Sequence, residues 1–162
     1  MPRRISKQCM NLWLVLGVLL IGVSFANAQT VSDPRLLVTE VVSGLSSPTA
    51  MACIGSNDIL VLQKNDGRVR RVISGVLQPS AALDVAVDNS SERGLLGIAL
   101  HPDFATNHFV YLYYTQSGMA NDTSGLPDPA GNRVYRYTWN GSALVNPTLI
   151  LDVPVPPGPN HD

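Results

Sequence analysis

Three histidines, a few carboxylates and two cysteines, Cys9 and Cys53, are the groups in this chain that could do chemistry. An unperturbed imidazole has a pKa of about 6.5, so His101, His108 and His161 can each exchange a proton near neutral pH. No His/Cys cluster has zinc spacing. His101 has no nearby ligand set, and Pro102 behind it stops a strand. His108 reads as a strand-edge residue. His161, taken alone, reads as an exposed residue one position from the C-terminus. Glu92 offers a carboxylate that can accept hydrogen bonds from hydroxyls or pair with the adjacent Arg93. Cys53 lies in the apolar run Ala50–Ile54 and reads as a small buried side chain rather than a reactive thiol.

Other motifs are weaker. Asp66-Gly67 and Asp88-Asn89-Ser90-Ser91-Glu92 carry oxygen ligands, but not the spacing of an EF-hand loop, so neither reads as a metal site. Gly94-x-x-Gly97 is not a phosphate loop, because no helix or lysine follows it. Asn89, Asn121 and Asn140 each begin an N-glycosylation pattern, which matters only in a eukaryotic secretory host.

The elements that position these groups are constrained by composition. The chain has 162 residues, a length for one domain or part of one. Hydrophobic residues make up 45%, too many for a disordered chain, and charged residues only 14%, too few for a coiled coil. The net charge of −1 gives no support to nucleic-acid binding.

Residues 1–28 read as a secretory signal peptide. Arg3, Arg4 and Lys7 form a positive start, Leu12 to Val23 an apolar stretch, and Ala26-Asn27-Ala28 a small-x-small cleavage site. The apolar stretch falls short of the roughly 20 residues needed to span a bilayer, so no stable membrane span is expected after cleavage. Removal takes Lys+Arg from 11 to 8 against 12 Asp+Glu, leaving a mildly acidic exported chain of charge about −4.

The remainder reads as about nine short strands with no convincing helix: Leu36–Val42, Thr49–Ile54, Asp58–Gln63, Arg68–Ile73, Ala82–Val87, Leu95–Leu100, His108–Thr115, Arg133–Trp139 and Thr148–Val153. Asn65-Asp66-Gly67 is a hairpin turn, because Asp-Gly tolerates positive φ. In Arg68–Ile73, Val69, Arg71 and Ile73 share one face, and Arg68, Arg70 and Val72 the other. Leu95–Leu100 is too apolar to assign a wet face and reads as buried. Such spacing suits an all-β sandwich, barrel or propeller. The chain stops after a proline-rich stretch, which suggests the N-terminal part of a longer protein, although a loose natural tail would also end this way.

Three stretches carry a resemblance. They are Ile59 to Val72, then Glu92-Arg93-Gly94-Leu95-Leu96-Gly97-Ile98-Ala99-Leu100-His101-Pro102-Asp103-Phe104 with Val110 to Thr115, and finally Pro159-Asn160-His161-Asp162. Together they resemble the glucose/sorbosone dehydrogenase family of exported six-bladed β-propellers, many of which use pyrroloquinoline quinone (PQQ). A blade of four strands takes roughly 40–60 residues, so residues 29–162 would make about the first two blades of an incomplete domain.

The resemblance implies roles for particular residues. His161 matches the general base that takes the proton from the sugar C1 hydroxyl. Glu92 matches a polar position lining the substrate pocket, where glucose-oxidising members have Gln. Asn160 stands where those members have an acidic residue, which puts glucose itself in doubt as the substrate. His101 and Phe104 match a structural corner, with Phe104 as a plug. PQQ and calcium are implied as cofactors, with their ligands expected beyond Asp162. The implied partners are a sugar and an external electron acceptor. The alternative is a non-catalytic carbohydrate- or protein-binding propeller, since fold does not fix function.

Overall fold

Short runs of alternating apolar residues, each punctuated by Gly, Asn or Pro, fold into strands that pair with their sequence neighbours. A computed structural model describes residues 31–124 and 129–155. In chain order the elements are β1 (Pro48–Gly55), β2 (Asp58–Gln63), β3 (Arg68–Ile73), β4 (Val76–Leu77), β5 (Leu83–Asp84), β6 (Leu95–Leu100), α1 (Phe104–Asn107), β7 (Phe109–Gln116), β8 (Gly131–Trp139) and β9 (Leu144–Val153). Residues 31–39 belong to a separate unit from residue 40 onward. In that first unit Arg35 closes a turn by bonding both carboxylate oxygens of Asp33.

Two antiparallel meanders follow: β1-β2-β3-β4, with β5 also on β3, and β6-β7-β8-β9. The first meander turns at Gly67, whose φ of +59 is the conformation the Asp-Gly pair was expected to supply. Its fourth strand is split. β4 pairs with the end of β3 and β5 with its start. Pro79, which has no N–H to give a ladder, lies in the interval between them. The strand expected over Ala82–Val87 is therefore only Leu83–Asp84, and Val87 forms an isolated bridge to Gln116 instead.

The core lies between the two sheets. Residues directly opposite in an antiparallel pair share a face, so Leu62/Val69 and Leu60/Arg71 of the first sheet and Val110/Tyr137 and Leu112/Tyr135 of the second form matched rows. Leu60, Leu62, Val69, Leu95, Val110, Leu112, Tyr137, Trp139 and Leu144 form one buried cluster. The faces read for β3 from its sequence are those observed. Arg71 is a polar fastener in this interface. It pairs with Asp58 at 2.6 Å, lies 4.9 Å from the Trp139 ring centroid, and donates to the Gly141 carbonyl at 2.9 Å. The carboxylate of Asp58 raises the Arg71 pKa further.

Four expectations are corrected. Leu36–Val42 forms no strand. Its β-branched residues meet no ladder partner among the described residues, and Leu37 is 88% exposed. Cys53 is exposed, not buried. It alternates with Ala52 and Ile54, which turn toward the core side, while Cys53 and Met51 face away from it. Leu95–Leu100 is only partly buried, with Leu95 fully enclosed and Ala99 exposed. A register shift between Leu95 and Gly97 changes the phase of the strand, so that Ile98 and Leu100 turn inward with Leu95 while Gly97 and Ala99 pair with Tyr113 and Tyr111 on the other face. His108 is not in β7 but caps the short helix α1 at φ +57. Among the described residues no helix is long and apolar enough to cross a membrane, and residues 1–28 lie outside them.

Two outcomes test this packing. Leu112→Ala, in the middle of the interface, is expected to lower unfolding free energy by about 3 kcal/mol in denaturant titration. Tyr114 and Tyr137 are buried, with hydroxyls 3.3 Å apart. Burial, reinforced by that hydrogen bond, pushes the Tyr114 hydroxyl far above the ordinary phenol range. A raised folded-state pKa contributes stability that is fully present below the unfolded value, about 10, and is lost as pH rises beyond it, at up to roughly 1.4 kcal/mol per pH unit. Tyr114→Phe is expected to flatten the decline in stability between pH 10 and 11. An equally steep decline in the variant would contradict this account.

Candidate functional site

The strand directions gather one set of loops on a single rim. Lys64, at the end of β2, lies beside the start of β6, because its carbonyl accepts the Leu95 N–H at 3.0 Å. The end of β9 lies beside the start of β8, with Val153 opposite Asn132. The β2–β3 turn, the β5–β6 connection, the β7–β8 connection and the exit from β9 therefore share this rim. His101, which follows β6, lies on the other, about 20 Å away at the rise of a six-residue strand.

The β5–β6 connection, residues 85–94, is tied to both meanders. On one side Val85 N–H donates to the Gly67 carbonyl, and Asn89 Nδ2 donates to the Asn65 carbonyl at 2.6 Å. On the other side Asp88 N–H donates to the Thr115 carbonyl, Asn89 N–H to the Thr123 carbonyl, and Val87 N–H to Asp122 Oδ1. A segment passing between two sheets must satisfy its backbone polar groups in this way, because water cannot. Gly94 has φ +138, and a Cβ there would fall 2.4 Å from the Lys64 carbonyl oxygen. Only glycine lets the chain enter β6 at this point.

Asp88 anchors the connection from inside. It is 1% exposed, accepts the Ser90 N–H at 2.9 Å, and faces the Arg93 guanidinium at 3.4 Å. The next turn closes with Arg93 N–H on the Ser90 carbonyl, and Ser91 takes φ +50. Glu92 stands exposed at the tip of this turn. Lys64 Nζ crosses from β2 to the same loop and donates to the Ser91 carbonyl at 2.8 Å, the Asn89 carbonyl at 3.3 Å and Asn65 Oδ1 at 3.2 Å. Behind the loop, buried Thr115 donates to Asn132 Oδ1 at 2.7 Å.

Of the residues singled out from sequence, Glu92 is on this rim. Asn160 and His161 lie outside the described residues. His101 is a corner: its Nδ1 accepts the Asp103 N–H at 3.0 Å and stands 2.8 Å from Asn107 Nδ2. Phe104 packs partly buried against the core. Sequence reasoning missed the supports of the Glu92 loop, namely Lys64, Asp88 and Asn89. The one local signal for Lys64 is a cation placed directly after an apolar strand.

A family model described as glucose/sorbosone dehydrogenase matches residues 45–156. An uncharacterized protein of Synechocystis is 35% identical over 140 residues, covering 80% of this chain and 32% of that protein. Quinoprotein glucose dehydrogenase B of Acinetobacter calcoaceticus is 27% identical over 130 residues, covering 78% of this chain and 27% of that protein. Among solved structures, the PQQ-bound aldose sugar dehydrogenase of Streptomyces coelicolor matches with a TM-score of 0.60 at 29% identity, over 74% of this chain and 34% of that one. An oxidoreductase of Thermus thermophilus, described as a glucose dehydrogenase, matches with a TM-score of 0.61 at 32% identity, over 74% of this chain and 33% of that one. The chain thus spans about a third of the length of these relatives. Its two meanders are two blades of a β-propeller.

Removing one member of a buried ion pair strands the other. Asp88→Ala is expected to cost about 3 kcal/mol, read as a lowered denaturation midpoint. An unchanged midpoint would show that the pair does not hold the connection.

Proposed function

The chain belongs to the glucose/sorbosone dehydrogenase family, and from that premise we propose that the full-length protein oxidises aldose sugars at C1 to the lactone, with PQQ and calcium as cofactors. The observation that carries this reading is topological. Glu92 stands on the rim toward which β9 delivers the chain, and the segment after β9 contains Asn160 and His161. A carboxylate on that rim suits a polyhydroxylated substrate, and the resemblance to the family adds the amide of Asn160 and the imidazole of His161 from the segment that follows. In this reading Glu92 accepts hydrogen bonds from sugar hydroxyls, Asn160 lines the same pocket, and His161 takes the proton of the C1 hydroxyl.

The described residues do not by themselves compose a cradle for either cofactor. The quinone's carboxylates ask for cations, but Lys64 is engaged by Asn65, Asn89 and Ser91, Arg93 by Asp88, and Arg133 by Asp152 and Gln116. No three His, Cys, Asp or Glu among the described residues group closely enough to hold a metal ion. Both cradles belong, in this reading, to the part of the protein beyond Asp162. Export, resting on the pattern of residues 1–28, and electron delivery to an external acceptor complete the proposal.

The test is dye reduction by the full-length protein, freed of its signal and supplied with calcium and PQQ, across a panel of aldoses. PQQ-dependent turnover is expected, falling at least about 100-fold in His161→Ala. Turnover undiminished in that variant removes His161 as the base. Absence of both turnover and PQQ binding moves the protein to the binding-propeller reading.

A further inference from the structure

A side chain at the tip of an exposed turn recognises a hydroxyl well only if the turn is held from outside. A misplacement of about 1 Å is enough to lose most of the benefit of a positioned group. The Glu92 turn closes with the Arg93 N–H on the Ser90 carbonyl, rests on Asp88 through the Ser90 N–H and the Arg93 guanidinium, and contains a non-glycine residue at positive φ. From the neighbouring blade it is held by the Asn65 carbonyl, which accepts from Asn89 Nδ2, and by Lys64, whose ammonium reaches the backbone of the loop from there. An ammonium has three donors, and here three acceptors take them: the carbonyls of Ser91 and Asn89 and the Oδ1 of Asn65. Two of the three belong to the loop that carries Glu92.

The lysine is itself fixed at its base. Its N–H donates to the Ser47 carbonyl, its carbonyl accepts the Leu95 N–H, and its Cγ is so close to Gly94 that a Cβ there would approach to 2.8 Å. A lysine at the end of an apolar strand ordinarily extends its ammonium into water. This one turns onto backbone carbonyls, where charge-assisted hydrogen bonds are roughly twice as strong as neutral ones.

We propose that Lys64 is a positioning residue for substrate recognition: it clamps the 89–91 backbone so that the Glu92 carboxylate meets the sugar in one orientation. The proposal rests on the reading of Glu92 as a sugar contact. With its donors occupied by two loop carbonyls and by Asn65, Lys64 acts through Glu92 and not on the sugar.

The experiment compares the full-length holoenzyme in five forms: wild type, Glu92→Gln, Lys64→Met, Lys64→Arg, and the double variant Lys64→Met/Glu92→Gln. Lys64→Met keeps an apolar stem and removes the ammonium. It is expected to raise the sugar KM about tenfold with kcat within about twofold. Lys64→Arg is expected to restore most of the loss, and the double variant to be no worse than the poorer single variant. Independently of turnover, hydrogen exchange in the 88–94 segment of the cofactor-free protein is expected to quicken about tenfold in Lys64→Met and to stay unchanged in Glu92→Gln.

An unchanged KM in Lys64→Met, beside an impaired Glu92→Gln, overturns the clamp and leaves the Glu92 reading standing. Faster exchange with an unchanged KM overturns it as well, reducing Lys64 to a structural tie. Glu92→Gln with wild-type KM and sugar preference overturns the Glu92 reading, and the clamp with it. Should Lys64→Met fail to fold, Lys64→Gln, shorter and uncharged, takes its place under the same criteria.

Discussion

The carbonyl oxygen of Lys64 is where the two blades are joined. It accepts the N–H of Leu95 across the gap between β2 and β6, and the chain can bring Leu95 there only because residue 94 has no side chain. From that bond follow the alignment of β6 beside β1, also tied by Thr49 Oγ1 on the Leu95 carbonyl, and the position of the connection that ends at Gly94. The same residue then uses its ammonium to hold the loop above. Backbone and side chain of one lysine therefore serve the fold and the rim together.

Around this junction the interface is mainly apolar, with a few polar groups admitted under strict conditions. Burial of Leu60, Leu62, Val110 and Leu112 supplies the drive for the two sheets to meet. Asp88, Arg71 and Thr115 enter the same region only with partners: Arg93 and the Ser90 N–H for the first, Asp58 and the Gly141 carbonyl for the second, Asn132 for the third. These contacts fix the angle and register at which the sheets meet, which a wholly apolar surface would leave loose.

Much of this was legible in the residues. β2 and β3 could be bounded because Asp-Gly divides two runs whose apolar residues agree with a ladder, and the face assignment of Val69 and Arg71 followed from simple alternation. β6 could be bounded but not oriented, because the irregularity after Leu95 resets the alternation and nothing local announces it. Leu36–Val42 and Cys53 failed for a different reason. Residue type reports what a side chain prefers, while burial depends on whether another element arrives to cover it. At the site, Glu92 was recognisable by its place in a family motif. Lys64 was not, since its role arises from a contact with residues 25 and 27 positions away.

That separation bears on the order in which the molecule assembles. Each blade is a meander of neighbouring strands, closed by short turns. The bonds that join the blades span far more chain, 46 residues from Thr49 to Leu95 and 70 from Arg71 to Gly141. Loop-closure entropy penalises such distant contacts until local pairing has shortened the effective path between them. The Glu92 loop takes its anchors from both meanders, so it acquires its shape only once each has formed and docked. A nascent chain emerging from synthesis would thus carry finished hairpins well before it carried a finished recognition loop.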